Sequence, residues 1–244
     1  MSWKYLRRTA GIGAFAFAVS ACAWLAGQSG SPALQPFMAA APETEAMALQ
    51  EPLTVGLVWV KPSEGSATIP ERAEQAALET IRSHFAEEGK RLTVVRTDTV
   101  TSVDLSALRQ LGQAHGLTNI LLVAPTVQEV EVPTRLRYGR GGYSLGTRTE
   151  SYVLLEAVGV ELATGASLFA ARGNAAAALE ELDYGPLGPW YPRLSRGGDR
   201  IVFGGFIYPD AEEFPPGEVR AVALKDAVAG LLAELDRLGS PKTS

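Results

Sequence analysis

The chain has 244 residues, of which 46% are hydrophobic and 20% charged, as in ordinary globular proteins with room for one good core. Its formal net charge is −5; the three basic residues of positions 1–21 are accompanied by no acid, so the chain from residue 22 onward carries −8. This charge argues against nucleic acid or anionic lipid as the main partner, because either requires a clustered positive patch. We therefore expect any membrane attachment to be apolar.

The N-terminus has the layout of an export signal. Basic residues at Lys4, Arg7 and Arg8 precede an apolar stretch of signal-peptide length, and the only cysteine, Cys22, follows it. The residues around the expected cleavage point resemble a bacterial lipobox: Val19, Ser20, Ala21 and Cys22. We predict that residues 1–21 are a signal peptide and that Cys22 is acylated, each buried CH₂ contributing about 0.8 kcal/mol to membrane attachment.

An uncleaved signal anchor is the alternative. The apolar run from Thr9 to Gly27 is long enough to cross about 30 Å of hydrocarbon as a helix. In both cases the basic N-terminus stays cytoplasmic and the rest faces the periplasm. Ala23, in place of Asp, favours the outer membrane by the sorting pattern of enteric bacteria. We expect a lipid-anchored protein of the cell envelope.

Composition divides the rest of the chain. Residues 22–52 contain no Lys or Arg and are rich in Ala, Pro, Ser and Gly, which predicts a lipidated cysteine followed by a disordered tether. Residues 53–240 form one predicted periplasmic domain, and residues 241–244 a short tail. Within the domain, residues 184–217 are dense in Pro, Gly and aromatics and predict an irregular excursion packed onto it.

The first half of the domain alternates strands and helices. The run 53–60 is apolar and β-branched, which predicts a central strand. Apolar residues spaced by four predict a helix over 71–88, and 91–96 is a second predicted strand. Asp104 is placed to cap a second helix that ends at Gly116.

The second half is mostly strands. A buried strand at 120–123 is predicted to continue past Pro125 through Val132, and 152–162 is the next strand. Thr164-Gly165 predicts a tight turn into 167–172, and 218–238 an amphipathic helix. The predicted fold class is α/β, with a mixed sheet in the order β-α-β-α-β-β-β-α, a parallel core, antiparallel hairpins and helices packed on the sheet.

Three local patterns carry a family resemblance: the first strand 53–60, the helix-to-strand passage 109–125 and the strand, Thr-Gly turn and return strand of 158–173. With the element order, they resemble the rhombotarget lipoproteins and, more distantly, the group of the curli-secretion lipoprotein and the TolB amino-terminal domain. The resemblance implies an envelope lipoprotein. Ala163 departs from the group, which often has an acid before the turn.

The most suggestive surface feature is a glycine-rich hairpin with arginines and tyrosines, residue types that suit interfaces. Its candidate partner-binding residues are Arg135, Arg137, Tyr138, Arg140, Tyr143 and Arg148. A solvated hairpin whose glycines only permit the turn is the alternative. In the excursion, Trp190 and Phe206 are candidate partner-binding aromatics, and a flap covering one face of the sheet is their alternative role.

No motif points to catalysis, a metal or a cofactor. His84 and His115 are the only histidines, each on or ending a predicted helix, and neither has metal-ligand spacing or a recognisable Ser and acid beside it. Both are predicted to be core-edge or capping residues. We expect a non-enzymatic protein that docks an envelope protein partner in secretion, surface assembly or wall synthesis; the alternative is an envelope hydrolase acting on glycan or peptide.

Overall fold

A computed structural model describes residues 30–42, 53–62, 67–86, 90, 92–138, 142–182, 193–197 and 218–239. The helices are α1 (Gln35–Ala40), α2 (Glu71–Phe85), α3 (Leu105–His115) and α4 (Glu218–Gly239). The strands are β1 (Leu53–Val60), β2 (Leu92–Val100), β3 (Asn119–Tyr138), β4 (Gly142–Glu161), β5 (Ser167–Leu182) and β6 (Arg193–Gly197). The described strands form one mixed sheet in the order β2-β1-β3-β4-β5-β6.

The parallel half of the sheet comes from the two strand-helix-strand units. Strand β1 pairs in parallel with β2 on one side and with β3 on the other. The chain therefore moves outward from β1 to β2 and then back across β1 to β3. Because both crossovers keep the right-handed sense, the helices of the two units lie on opposite faces of the sheet, α2 on one and α3 on the other.

Helix α3 begins and ends as its sequence predicts. Asp104 accepts a hydrogen bond from the backbone N–H of Ala107 at 3.3 Å, and Gly116 adopts a left-handed φ of 65° at the C-cap. A side-chain acceptor at the N-cap and glycine just after the last turn are the usual signals for the two ends. The prediction of this helix is confirmed.

The antiparallel half consists of β3 to β6. Strands β3 and β4 pair along their whole length, from Asn119 opposite Glu161 to Tyr138 opposite Gly142. Pro125 is accommodated because it lies just beyond Val123, the last residue of β3 that pairs with β1. Gly165, with a φ of 79°, makes the predicted turn from β4 to β5.

Each face of the sheet has its own hydrophobic cluster. The larger cluster lies under α2 and α4 and includes Trp59, Ile81 and Leu231, all fully buried. The smaller cluster lies on the other face under α3 and includes Leu108, Ile120 and Leu34. The α/β class, the mixed sheet and the helices packed on it are as predicted.

Two segments depart from their predictions. Residues 30–42 belong to the predicted tether, but they contain α1 and bury Leu34 completely against the smaller cluster. The excursion 184–217 was expected to be irregular, and its residues 193–197 form β6, which pairs with β5 from Ala176 to Glu180. For residues 30–42 the contacts come from residues far away in the sequence, such as Glu156, and for 193–197 they come from the preceding strand β5.

Among the described helices, none combines the length and apolar character needed to cross a membrane.

Candidate docking site

The β3–β4 hairpin is longer than the sheet that supports it. On the β1 side, pairing with β3 ends at Val123. On the other side, β5 follows β4 only as far as the pair Gly146–Leu182. Beyond that pair, β3 and β4 have no other partner among the described strands. We call residues 135–145 the arm, whose paired part spans four residues on each strand, about 13 Å at ~3.3 Å per residue.

The arm contains most of the predicted arginines and tyrosines. The backbone places Arg135 opposite Leu145, Arg137 opposite Tyr143 and Tyr138 opposite Gly142. Arg137 and Tyr143 therefore occupy one register position of the ribbon. The sequence indicated the cluster, but this register becomes visible only in the structure.

Several predicted site residues lie outside the described part of the chain. They are Val19, Ser20, Ala21, Cys22, Arg140, Trp190 and Phe206. Their proposed roles in lipidation and partner binding therefore stay predictions.

Arg148 differs from the other predicted docking residues. It lies at the base of the arm with 9% of its surface exposed, and its Nε donates a hydrogen bond of 2.6 Å to Glu150. Glu150 also accepts from the hydroxyl of Tyr152 at 2.5 Å. Burial and the neighbouring carboxylate raise the pKa of Tyr152. Arg148 is therefore buried and paired and does not have the surface position expected for it, because a neighbouring acid binds its guanidinium. Its role in partner binding stays a prediction.

The structure also reveals a buried acid that the sequence analysis missed. Only 2% of the side-chain surface of Glu156 is exposed. Arg172, its register partner on β5, donates to Glu156 Oε1 from Nε at 3.0 Å, and the backbone N–H of Ser31 donates to Oε2 at 2.7 Å. The sequence contained a signal for this acid. Glu156 interrupts an apolar strand, where burying a charge is unfavourable unless the charge is paired.

A second group of polar residues fixes α4 below the arm. Arg220 binds both carboxylate oxygens of Glu129, at 2.7 and 2.6 Å, and its third nitrogen donates to the carbonyl of Thr68 at 2.7 Å. Ser151 on β4 donates to the same carboxylate at 2.9 Å. The pKa of Glu129 is lowered, chiefly by the hydrogen bonds from Arg220. These contacts join α4, β3, β4 and the loop after β1.

His84 lies at the boundary of the core between α2 and α4, as predicted. Its Nε2 is 3.0 Å from Asp236 and 2.9 Å from the amine of Lys90, which also binds Asp236 at 3.0 Å. Burial raises the pKa of Asp236, but the hydrogen bonds from Lys90 and His84 outweigh it, and the net pKa is lowered. Among the described residues no group of three or more His, Cys, Asp or Glu could hold a metal ion.

Comparisons with known proteins give structural likenesses alone. No family model matches the chain, and no curated protein matches its sequence. A neuraminyllactose-binding hemagglutinin homologue from Helicobacter pylori has 13% identity and a TM-score of 0.39, over 79% of this chain and 90% of that one.

Two further solved structures resemble this chain. A PelC variant from Paraburkholderia phytofirmans, solved as a dodecamer, has 14% identity and a TM-score of 0.33, over 82% of this chain and 94% of that one. Lipoprotein GNA1162 from Neisseria meningitidis has 14% identity and a TM-score of 0.29, over 55% of this chain and 88% of that one. Likenesses at this level carry no argument about function, so the resemblance to rhombotarget lipoproteins stays a prediction.

Proposed function

We propose that this chain is a lipid-anchored protein of the bacterial envelope with a non-enzymatic docking or assembly role, in secretion, surface assembly or wall synthesis. Cys22 is the anchor, the domain faces the periplasm from the outer membrane, and the arm binds an envelope protein partner. The resemblance to rhombotarget lipoproteins belongs to this proposal.

The observation that carries the docking role is the arm itself. A two-stranded ribbon has little core of its own and is marginally stable in isolation. Extending β3 and β4 beyond the last β5 pair therefore adds little to the stability of the domain. The same extension places Arg137 and Tyr143 at one register position, and Arg and Tyr are enriched in binding interfaces.

The arm differs in charge from the rest of the protein. The six-residue stretch 135–140 contains three arginines, Arg135, Arg137 and Arg140. The chain as a whole is acidic, with a formal charge of −8 beyond residue 21. An acidic partner surface would complement this segment and suit the arginine side chains. We therefore propose an acidic protein surface as the partner of the arm.

Charge reversal on the arm tests this role. We expect the double variant Arg137→Glu and Arg140→Glu to reduce capture of the native partner from an envelope extract by at least tenfold. Wild-type binding should weaken as salt rises, because exposed charges are screened over about 8 Å at physiological ionic strength. The melting temperature should change by a few degrees at most, since surface substitutions usually alter stability by about 0.5 kcal/mol or less.

A matched control makes the same change in net charge at two positions outside the arm. Arg72 on α2 and Lys225 on α4 are both exposed, and replacing both with Glu should leave capture unchanged. If the arm variant captures the partner as well as wild type while Trp190→Ala or Phe206→Ala abolishes capture, the docking surface is the aromatic excursion and the proposal for the arm is wrong.

A further inference from the structure

We propose that residues 30–42 are a latch, which binds the domain and leaves only residues 23–29 between it and the lipid anchor at Cys22. This inference rests on the lipid-anchor part of the proposed function. It assigns a structural role to a segment whose composition predicts a disordered tether. Its support comes from a polar contact with a buried acid, a close backbone approach, and an apolar contact that ends in a second hydrogen bond.

The polar contact is made by the buried acid on β4. The N–H of Ser31 donates to Glu156 Oε2 at 2.7 Å, and Ser31 is itself buried. Arg172 neutralises the other carboxylate oxygen, Oε1, although 61% of its own side chain is exposed. A buried carboxylate is unfavourable unless it is hydrogen-bonded, and the N–H of Ser31 satisfies Oε2. Glu156 is therefore matched to a backbone donor from a segment 125 residues away.

The close approach occurs at Gly30. A Cβ added there would lie 2.1 Å from Glu156 Oε2 and 2.2 Å from Oε1. Non-bonded atoms cannot approach so closely, and Glu156 is restrained by its ion pair with Arg172. A side chain at position 30 would therefore require either the segment or the Glu156 carboxylate to move, and either movement disturbs the hydrogen bond from Ser31. Gly30 is thus a position at which substitution weakens the latch.

The apolar contact is made by α1 and the residues before it. Leu34 has no exposed surface and packs in the smaller cluster, with Phe37 and Met38 partly buried against the same cluster. The spacing of these residues places them on one face of a helical turn. At the end of this contact Ser167 donates its hydroxyl to the carbonyl of Phe37 at 2.8 Å. Burying a leucine contributes about 1.5–3 kcal/mol, so the polar contact is not the only attachment.

The consequence is a shorter maximum distance between the domain and the membrane. A fully extended link from Cys22 to Leu53 would reach roughly 105 Å, and one from Cys22 to Gly30 only roughly 28 Å, at ~3.3–3.6 Å per residue. Glu156 pairs with Ala124, and fourteen residues of β3 separate Ala124 from Tyr138. The arm therefore lies up to about 46 Å along the strands from the latch. A latched segment would limit the height above the membrane at which the arm meets its partner.

Hydrogen exchange on the full-length lipidated protein in phosphatidylcholine vesicles tests the latch directly. We expect the amides of residues 31–38 to be protected in wild type and to exchange at least tenfold faster in Gly30→Leu and in Glu156→Gln. Glu161→Gln is the matched control: it is on the same strand and binds Thr164 but does not contact the latch. Unchanged exchange in α3 would show that the fold of each variant is intact.

Energy transfer measures the distance from the membrane. Because Cys22 is the only cysteine, Gln110→Cys on the exposed side of α3 gives one free thiol for a donor dye, with acceptor dye on the lipid headgroups. We expect efficient transfer in wild type and a clear loss in Gly30→Leu.

Each result decides a separate claim. Exchange in wild-type residues 31–38 as fast as in a free peptide overturns the latch. Protection that is lost in Gly30→Leu without any change in energy transfer overturns its effect on membrane distance. If Cys22 carries no lipid, the lipid anchor of the proposed function is wrong. The exchange experiment on the full-length protein still decides whether residues 30–42 bind the domain. Docking by the arm is measured separately by partner capture.

Discussion

At the scale of single residues, the contact between Arg220 and Glu129 shows how one ion pair can position a helix. The two side chains are only 24% and 21% exposed, and the guanidinium binds both carboxylate oxygens. Such bidentate pairs fix orientation as well as distance. Because Arg220 also donates to the carbonyl of Thr68, the start of α4 is tied to β3 and to the loop after β1.

This ion pair predicts a defined pH dependence of stability. The pKa of Glu129 in the folded protein is below its ordinary value of 4.5. The stability that Glu129 contributes is therefore fully present above the unfolded pKa and lost as pH falls through the folded pKa. We expect Glu129→Gln to lower the free energy of unfolding by about 1–3 kcal/mol at pH 7, because it leaves Arg220 without its carboxylate. Urea unfolding between pH 7 and pH 3 should show this difference shrinking as pH falls.

The control is an acid in an exposed pair. Glu79 binds Arg82 one turn later on α2, and both side chains are 58% exposed. Glu79→Gln should leave stability unchanged at pH 7, because water screens the pair. A Glu129→Gln difference that stays constant down to pH 3 would mean that the ionised form of Glu129 is not what stabilises α4.

At the scale of elements, the packing of α4 on β5 depends on small residues. Ala171, Ala175 and Ala177 are buried under the helix, and Gly173 lies between them. A Cβ at Gly173 would be 2.1 Å from the carbonyl oxygen of Ala227 and 2.4 Å from the backbone nitrogen of Leu231. The helix backbone therefore approaches the strand more closely than any side chain at this position allows.

This geometry predicts a large effect for a small substitution. Although Gly173→Ala adds one methyl group and favours extended backbone, it should destabilise the protein by about 1–3 kcal/mol or more, because the backbone of α4 must move away from the sheet. The control is Asn174→Ala, the exposed neighbour on the opposite face of β5, which should change little. Thermal unfolding of both variants measures the difference; equal melting temperatures would show that α4 can shift without loss of packing.

At the scale of the whole molecule, the proposed anchor is tested at Cys22. We predict that the mature wild-type protein begins at an acylated Cys22 and that Cys22→Ala blocks acyl labelling. The basis is the lipobox-like sequence Val19, Ser20, Ala21, Cys22 and the lack of any other cysteine. Mass spectrometry of the N-terminus provides the measurement. An intact Met1 without lipid at Cys22 would instead support the uncleaved signal anchor.

Much of the fold could be predicted from local patterns. The cap at Asp104, the stop at Gly116 and the turn at Gly165 were each recognisable because the residue itself imposes the backbone conformation or supplies the capping acceptor. Periodicity predicted helices over 71–88 and 218–238, which the structure describes as 71–85 and 218–239, because their apolar residues must face a core. The arm was identified from its residue types, but its length and register were not.

Other features depend on partners far away in the sequence. Composition makes residues 30–42 a tether, and only the sheet face that receives Leu34 and the carboxylate that binds Ser31 make this segment ordered. Arg148 has the residue type of a docking side chain, but Glu150 and the surrounding strands bury it. By itself the sequence predicted most of the helices and strands, since these are encoded in neighbouring residues. The export signal is likewise a local pattern and stays a prediction. Only the tertiary structure decided which segments pack together, because those energies depend on contacts between residues far apart in the sequence, such as Ser31 and Glu156. It also decided which charges are buried and paired, even for near neighbours such as Arg148 and Glu150, because burial is set by the surrounding strands.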